Sequence, residues 1–152
     1  MAKMKDLRAQ LADHMKKFNI ENGHNTDCLI DKTNSRTTED SKQLVANSII
    51  HACDISTSLR EFEISTQWAD LLFEEFFNQG DMEKAQNLEV SMLCDRDTTT
   101  MASGQTGFIQ FIVVPIFEQL AQITPGINDV QLANGKININ KWNVRSEAER
   151  RQ

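Results

Sequence analysis

Between Thr98 and Ile123 the apolar residues Phe108, Ile109, Phe111, Ile112, Ile116, Phe117 and Leu120 recur at the steps that put side chains on one side of a helix. No part of the chain shows the two-residue alternation of a strand series, and no internal repeat or low-complexity tract interrupts it. The pattern predicts an all-α fold, a helical bundle. The run Thr98-Thr99-Thr100 opens this longest helix, and Pro115, which lacks an amide proton, kinks it or ends a turn of its hydrogen bonding. An amphipathic helix is expected over about residues 3–18, on Leu7, Leu11, Met15 and Phe18. Polar residues from Asn19 to Lys42 read as a long loop. Thr37, Thr38 and Glu39 then cap a helix over about 38–57 that is expected to bury Leu44, Val45, Ile49, Ile50 and Cys53. Another, over about 58–79, carries Phe62, Trp68, Leu71, Leu72, Phe76 and Phe77, and Gly80-Asp81 reads as its stop, with a short helical piece to Leu88. Beyond Pro125-Gly126 the pattern is weak, and the charged residues 146–152 are expected to form a frayed tail.

Composition narrows the partners. The net charge is −6, and the Lys and Arg residues are scattered without interleaved aromatics, so DNA and RNA are excluded as main partners. The longest apolar stretch, Phe108 to Phe117, is far short of the ~20 residues a membrane span needs. No secretory signal pattern opens the chain. Cys28, Cys53 and Cys94 are odd in number and widely spaced, which points to reduced thiols and a cytoplasmic location. Hydrophobic content of 39% makes for a thin core, as in a piece that takes packing from something else.

Three segments could carry chemistry. In His51-Ala52-Cys53-Asp54-Ile55-Ser56 a carboxylate ends an apolar helix turn, and if it is enclosed it needs a partner, of which a divalent metal is one. The plainer reading is an Asp that caps something or faces water. Gln105 and Phe108 lie three apart on the long helix, hence on one face; an amide can match a purine edge and a ring can stack on the base. Taken alone, such a pair is more often surface glutamine and core phenylalanine. Gln67-Trp68-Ala69-Asp70 and Glu74-Glu75-Phe76-Phe77 read most simply as a core Trp and a solvated acidic edge, since adjacent glutamates point to different faces.

Read in order, the segments His51-Ala52-Cys53-Asp54-Ile55-Ser56, Gln67-Trp68, Glu74-Glu75-Phe76-Phe77-Asn78-Gln79-Gly80-Asp81, Glu89-Val90-Ser91, Cys94-Asp95, Gln105-Thr106-Gly107-Phe108-Ile109 and Ile112-Val113-Val114-Pro115 resemble the class I cyclic nucleotide phosphodiesterases. The resemblance covers about residues 46–124, and more loosely 1–18. It implies the C-terminal portion of an HD-type phosphodiesterase catalytic domain over residues 1–145, hydrolysing the 3′ phosphoester of cAMP or cGMP to the 5′-monophosphate. Matched by position, Asp54 corresponds to a zinc-ligating aspartate, Gln105 to the glutamine that bonds the purine, and Phe108 to the ring that stacks on it. Leu72, Phe73, Leu93 and Ile109 correspond to the pocket wall, and His51 is at best behind the metal ligands.

In such enzymes a hydroxide bridging two metals attacks phosphorus while a histidine protonates the leaving oxygen. The resemblance therefore implies Zn²⁺ with Mg²⁺ or Mn²⁺. The histidine-rich HN-x-x-H and HD segments that supply most ligands and the general acid are not found: His14 and His24 sit in other contexts. No catalytic residue is thus assigned in this chain, and the expected partners are a cyclic purine nucleotide, the missing N-terminal half of the catalytic domain, and a possible homodimer mate. Departures such as Thr57-Ser58 for the usual Asn-Pro, Ser65 for Tyr and Val114 for His put parts of the pocket in question. A rotatable amide serves adenine and guanine alike. The rival expectation is a non-catalytic helical interaction module that kept the scaffold and lost the metal centre.

Overall fold

In a computed structural model of the chain, the residues described are 9–10, 12–13, 35–149 and 151. All their regular structure is helical, as the all-α reading expects. The helices are α1 (Ser35–Asp54), α2 (Phe62–Ala85), α3 (Met101–Phe108), α4 (Val114–Ala121) and α5 (Gln131–Glu149), with 3₁₀ turns at Ser56–Leu59 and Pro125–Asn128. The helix expected over 3–18 lies almost wholly outside the described residues, as does 19–34 of the segment expected to be a loop; its described part, 35–42, is helical instead and forms the first turns of α1. No helix among the described residues is long and apolar enough to cross a membrane.

The chain divides into two units, one taking in the chain as far as Ser56 together with Ile112–Ala133, the other Thr57–Phe111 with Asn134–Gln152. In the first, α1 packs on α4. The expected buried face of α1 needs correction: Ser41, Ser48 and Ala52 are buried, while Ile49 and Ile50 are 48% and 64% exposed. Small side chains allow close approach of helices, and the Ser48 hydroxyl spends its proton on the Leu44 carbonyl at 2.8 Å. From α4 the core receives Ile116, Phe117, Leu120 and Ala121.

In the second unit, Leu59, Ser65, Ala69, Phe73, Ala102, Ile109, Asn138 and Trp142 form the core. The Phe62 ring meets Trp142 edge-on at 5.1 Å. Asn138, 1% exposed, donates to the Ser58 and Arg60 carbonyls at 2.9 and 2.8 Å, and Asn134 donates to Leu59 O at 3.1 Å. These amides fasten the 3₁₀ turn to α5. Asn138→Ala would take a donor from one buried and one part-buried carbonyl and is expected to cost about 2 kcal/mol, measurable as a lower urea midpoint at unchanged slope. The weak pattern after Pro125 therefore hides a full helix, and Ser146–Glu149 belongs to it. Ser146 is only 5% exposed, so these residues are not a frayed tail.

Two helix boundaries also differ from expectation, each for a physical reason. Gly80 does not stop α2. The helix continues to Ala85 and ends where Asn87 takes φ 57°, with Leu88 N–H donating to Glu83 O and Asn87 N–H to Lys84 O. That is a left-handed cap of the Schellman type. In the long helix, five residues of π-helix, Ile109–Val113, separate α3 from α4 immediately before Pro115. The wider turn accommodates the missing proline amide without a break.

Candidate functional site

Helix α3 starts at Thr100, whose hydroxyl accepts from Ser103 N–H at 3.4 Å while Ser103 Oγ donates to the Thr100 carbonyl at 3.0 Å. Next after Ser103, Gly104 faces α2. A Cβ there would stand 2.5 Å from Cζ of Phe73, so the absence of a side chain is what admits the ring. Phe73 itself is 3% exposed and braced edge-on by Phe76 and Phe77 at 5.8 and 5.6 Å. Beside this contact lies Gln105, only 4% exposed as a residue; no hydrogen bond engages its carboxamide among the described residues, and its polar atoms are not among those sealed from solvent without a partner. Phe108 is half-buried and Ile109 fully buried, one turn further along the same helix. A mostly buried glutamine whose amide is left free of protein partners has its donor and acceptor available to a ligand.

The other expected wall residues lie nearer the surface: Leu72 is 39% and Leu93 37% exposed. Leu93 has φ 69°, a left-handed conformation that a bulky residue adopts only when its surroundings impose it. The segment around it is tied to α2 by charge. Arg96 forks onto Asp81 through Nε and Nη2 (3.0 and 2.6 Å), and Lys84 reaches Asp95 and Asp97 at 2.7 Å each. Glu83 accepts from Ser91 N–H at 2.6 Å and Ser91 Oγ at 2.7 Å. Sequence reasoning met Asp81, Ser91 and Asp95 only inside the quoted motifs and gave none of these residues a role, because charged pairs eleven to fifteen positions apart look like any solvated helix surface.

The partners shift the carboxyls. Arg96 beside Asp81, the Ser91 amide on Glu83 and Lys84 beside Asp95 hold these three carboxyls below the ordinary range, and Asp95 in turn raises Lys84. A depressed folded value means the stabilisation is present above the unfolded values of ~3.9 and ~4.3 and is lost as pH falls through the folded ones. Amide protection across residues 91–97, taken relative to the intrinsic exchange rate at each pH, is accordingly expected to be constant from pH 7 to 5 and to fall below about pH 4. Cys94, 4% exposed, has its thiol pushed up chiefly by burial, which makes it a core residue rather than a nucleophile.

Asp54 belongs to the first unit. It ends α1 and is exposed, with Cys53 also exposed beside it, so the enclosed carboxylate that the apolar neighbours suggested is not observed. The reason is the rotated face of α1: its isoleucines look outward. A carboxylate in the last turn of a helix meets the negative end of the helix dipole, and a cation would relieve that. His51 Nε2 is buried without a hydrogen-bond partner among the described residues. No three His, Cys, Asp or Glu side chains come together among the described residues, whereas Zn²⁺ takes about four ligands. These residues do not make a metal centre by themselves.

Trp68, expected in the core, is 56% exposed, and the buried indole is Trp142. With Ile64 at 43% and Leu71 at 63%, Trp68 gives α2 a second apolar stripe, opposite the one that carries Ala69 and Phe73.

The family model of the 3′5′-cyclic nucleotide phosphodiesterases matches residues 1–134. The human "High affinity cGMP-specific 3′,5′-cyclic phosphodiesterase 9A" is 38% identical over 94 residues, which are 62% of this chain and 16% of that protein. The Drosophila melanogaster "Dual specificity calcium/calmodulin-dependent 3′,5′-cyclic nucleotide phosphodiesterase 1" is 47% identical over 74 residues, 49% of this chain and 9% of that protein. The chain thus spans less than a fifth of these curated relatives. Among solved structures, the phosphodiesterase domain of the RhoPDE fusion protein of Salpingoeca rosetta superposes with a TM-score of 0.78 at 24% identity, covering 100% of this chain and 44% of that one. LmjPDEB1 in complex with IBMX superposes with a TM-score of 0.73 at 28% identity, covering 97% and 40%.

Proposed function

The chain belongs to the 3′5′-cyclic nucleotide phosphodiesterase family, and from that premise we propose that it is the nucleotide-recognition part of a catalytic domain that hydrolyses cGMP or cAMP to the 5′-monophosphate. The observation that carries this reading is Gln105, buried to 4% exposure with a carboxamide unspent among the described residues. A purine edge offers the donor and acceptor such an amide lacks, and Phe108, one turn on, supplies a ring face to stack on the base. Phe73 and Ile109 give the apolar wall, with Leu72 and Leu93 at its rim. The relatives are described as cGMP-specific in one case and of dual specificity in another, and an amide that can rotate accommodates either base.

Divalent-metal dependence goes with the family. Zn²⁺ with Mg²⁺ or Mn²⁺ is our proposal for this protein, with Asp54 as one ligand and the others outside the described residues. Over residues 1–145 the chain would then be completed by an upstream half of the catalytic domain. That reading is supported by the 44% coverage of the Salpingoeca rosetta domain and by the open stripe of Ile64, Trp68 and Leu71 on α2. A second copy of the chain is the other occupant such a stripe would take. The free thiols of Cys53 and Cys94 suit a reducing, cytoplasmic setting.

The purified chain, assayed on cAMP and cGMP with Zn²⁺ and Mg²⁺, is expected to show no turnover while binding cyclic nucleotide weakly. Robust hydrolysis would overturn the view that it is only a part. One observation favours a second reading, a non-catalytic module: His14 and His24 stand in no HN-x-x-H or HD segment. The gene sequence upstream of Met1 separates the two, since an in-frame histidine-rich segment there belongs to an enzyme.

A further inference from the structure

The last turns of α2 hold one short segment, Ser91–Asp97, by several independent means. Gly80 has no side chain where the Cys94 carbonyl presses against the helix, and a Cβ there would overlap it. Asp81 takes the Arg96 guanidinium, and Lys84 donates to Asp95 and Asp97. Glu83 is the most fully used of these groups. Its carboxylate accepts from Ser91 N–H at 2.6 Å, Ser91 Oγ at 2.7 Å and Gln79 Nε2 at 2.8 Å. Exposed pairs of this kind contribute little to global stability, so stability does not account for such a concentration of them. What they enclose is Leu93 at φ 69°. An unfavourable backbone conformation persists only where its surroundings over-determine it.

We propose that Glu83 is a positioning residue: through Ser91 it fixes the segment that carries Leu93, so that this side chain stands preformed at the rim of the base site before nucleotide arrives. The inference rests on the assignment of Leu93 to that site. Preformation removes the ordering cost that a mobile loop would levy on binding, and it requires no contact between Glu83 and the nucleotide.

The test uses the full chain, ¹⁵N-labelled, as wild type, Glu83→Ala, Glu83→Gln, Leu93→Ala and the Glu83→Ala/Leu93→Ala double variant. Amide exchange and cGMP titration are read on each. In Glu83→Ala, protection at residues 91–97 is expected to fall roughly tenfold while that of α3 and α5 holds. Affinity for cGMP should fall by about the same factor as in Leu93→Ala, and the double variant should be no weaker than Leu93→Ala alone. Glu83→Gln keeps an acceptor for Ser91 N–H and should restore most of both. Unchanged protection in Glu83→Ala overturns the inference, as does a double variant whose losses multiply. If the wild type binds neither cGMP nor cAMP, the proposed function fails. The exchange data then decide the role of Glu83 alone: loss confined to residues 91–97 supports it, and no loss sinks it.

Discussion

Gly80→Ala is expected to be the most damaging single-atom change in the second unit, lowering stability by about 3 kcal/mol, at the upper end of what overpacking costs. In a free helix the same change would gain about 1 kcal/mol, so the sign itself is diagnostic. The added methyl would fall far inside van der Waals contact distance of the Cys94 carbonyl oxygen, which is backbone and cannot swing aside as a side chain could. Either α2 bends or residues 91–97 lift off it, and with them go the ion pairs of Asp81 and Lys84. Thermal and urea unfolding read the loss directly. A neutral or raised midpoint would mean that the carbonyl does not sit where it is described. Gly104→Ala is a milder control: its methyl meets the end of the Phe73 ring at 2.5 Å, and a ring can shift.

Gln105→Ala is expected to do the reverse, sparing the fold while removing the function. Loss of paired hydrogen bonds to a base corresponds to about a 100-fold weaker affinity for cyclic nucleotide. Stability should stay near level, because no hydrogen bond among the described residues is lost with the carboxamide. Calorimetric titration and a melting curve on the same sample give both numbers. A drop in melting temperature comparable to that of Gly80→Ala would show that the carboxamide serves the core, and the base-recognition reading would have to be abandoned.

How far the sequence anticipated this depends on what each residue type reports. The period of apolar side chains on residues 98–123 tells helix from strand, so the helical class was legible; Pro115 announced a kink or a lost turn of hydrogen bonding, and the five-residue π turn found before it was not foreseen. Glycine was ambiguous. Gly80 carries the same letter whether it ends a helix or makes room for a carbonyl, and only the partner, Cys94, distinguishes the cases. Tryptophan misled because its size suggests burial, yet Trp68 lies open and Trp142 fills the centre of its unit. Asp54 admitted two readings, enclosed beside a partner or facing water, and it is the exposed one that holds, because its apolar neighbours turn outward while serines and an alanine provide the closer packing. Helix α5 escaped notice because its inner face is built from Asn134, Asn138 and Ser146 as much as from apolar groups, and an amide that secures a turn does not register as hydrophobic periodicity. Gln105 stood out as an amide three residues before a ring and gained its weight from the resemblance, and what the structure adds is the burial of its side chain.

The two indoles differ in one way that experiment can use. With no tyrosine in the chain, near-ultraviolet emission comes essentially from one tryptophan in water, 56% exposed, and one at 0% exposure. Iodide should quench the first and leave the second shining, so anything that settles on the outer stripe of α2 would report its own arrival as a blue shift and a loss of quenching, with no dye attached.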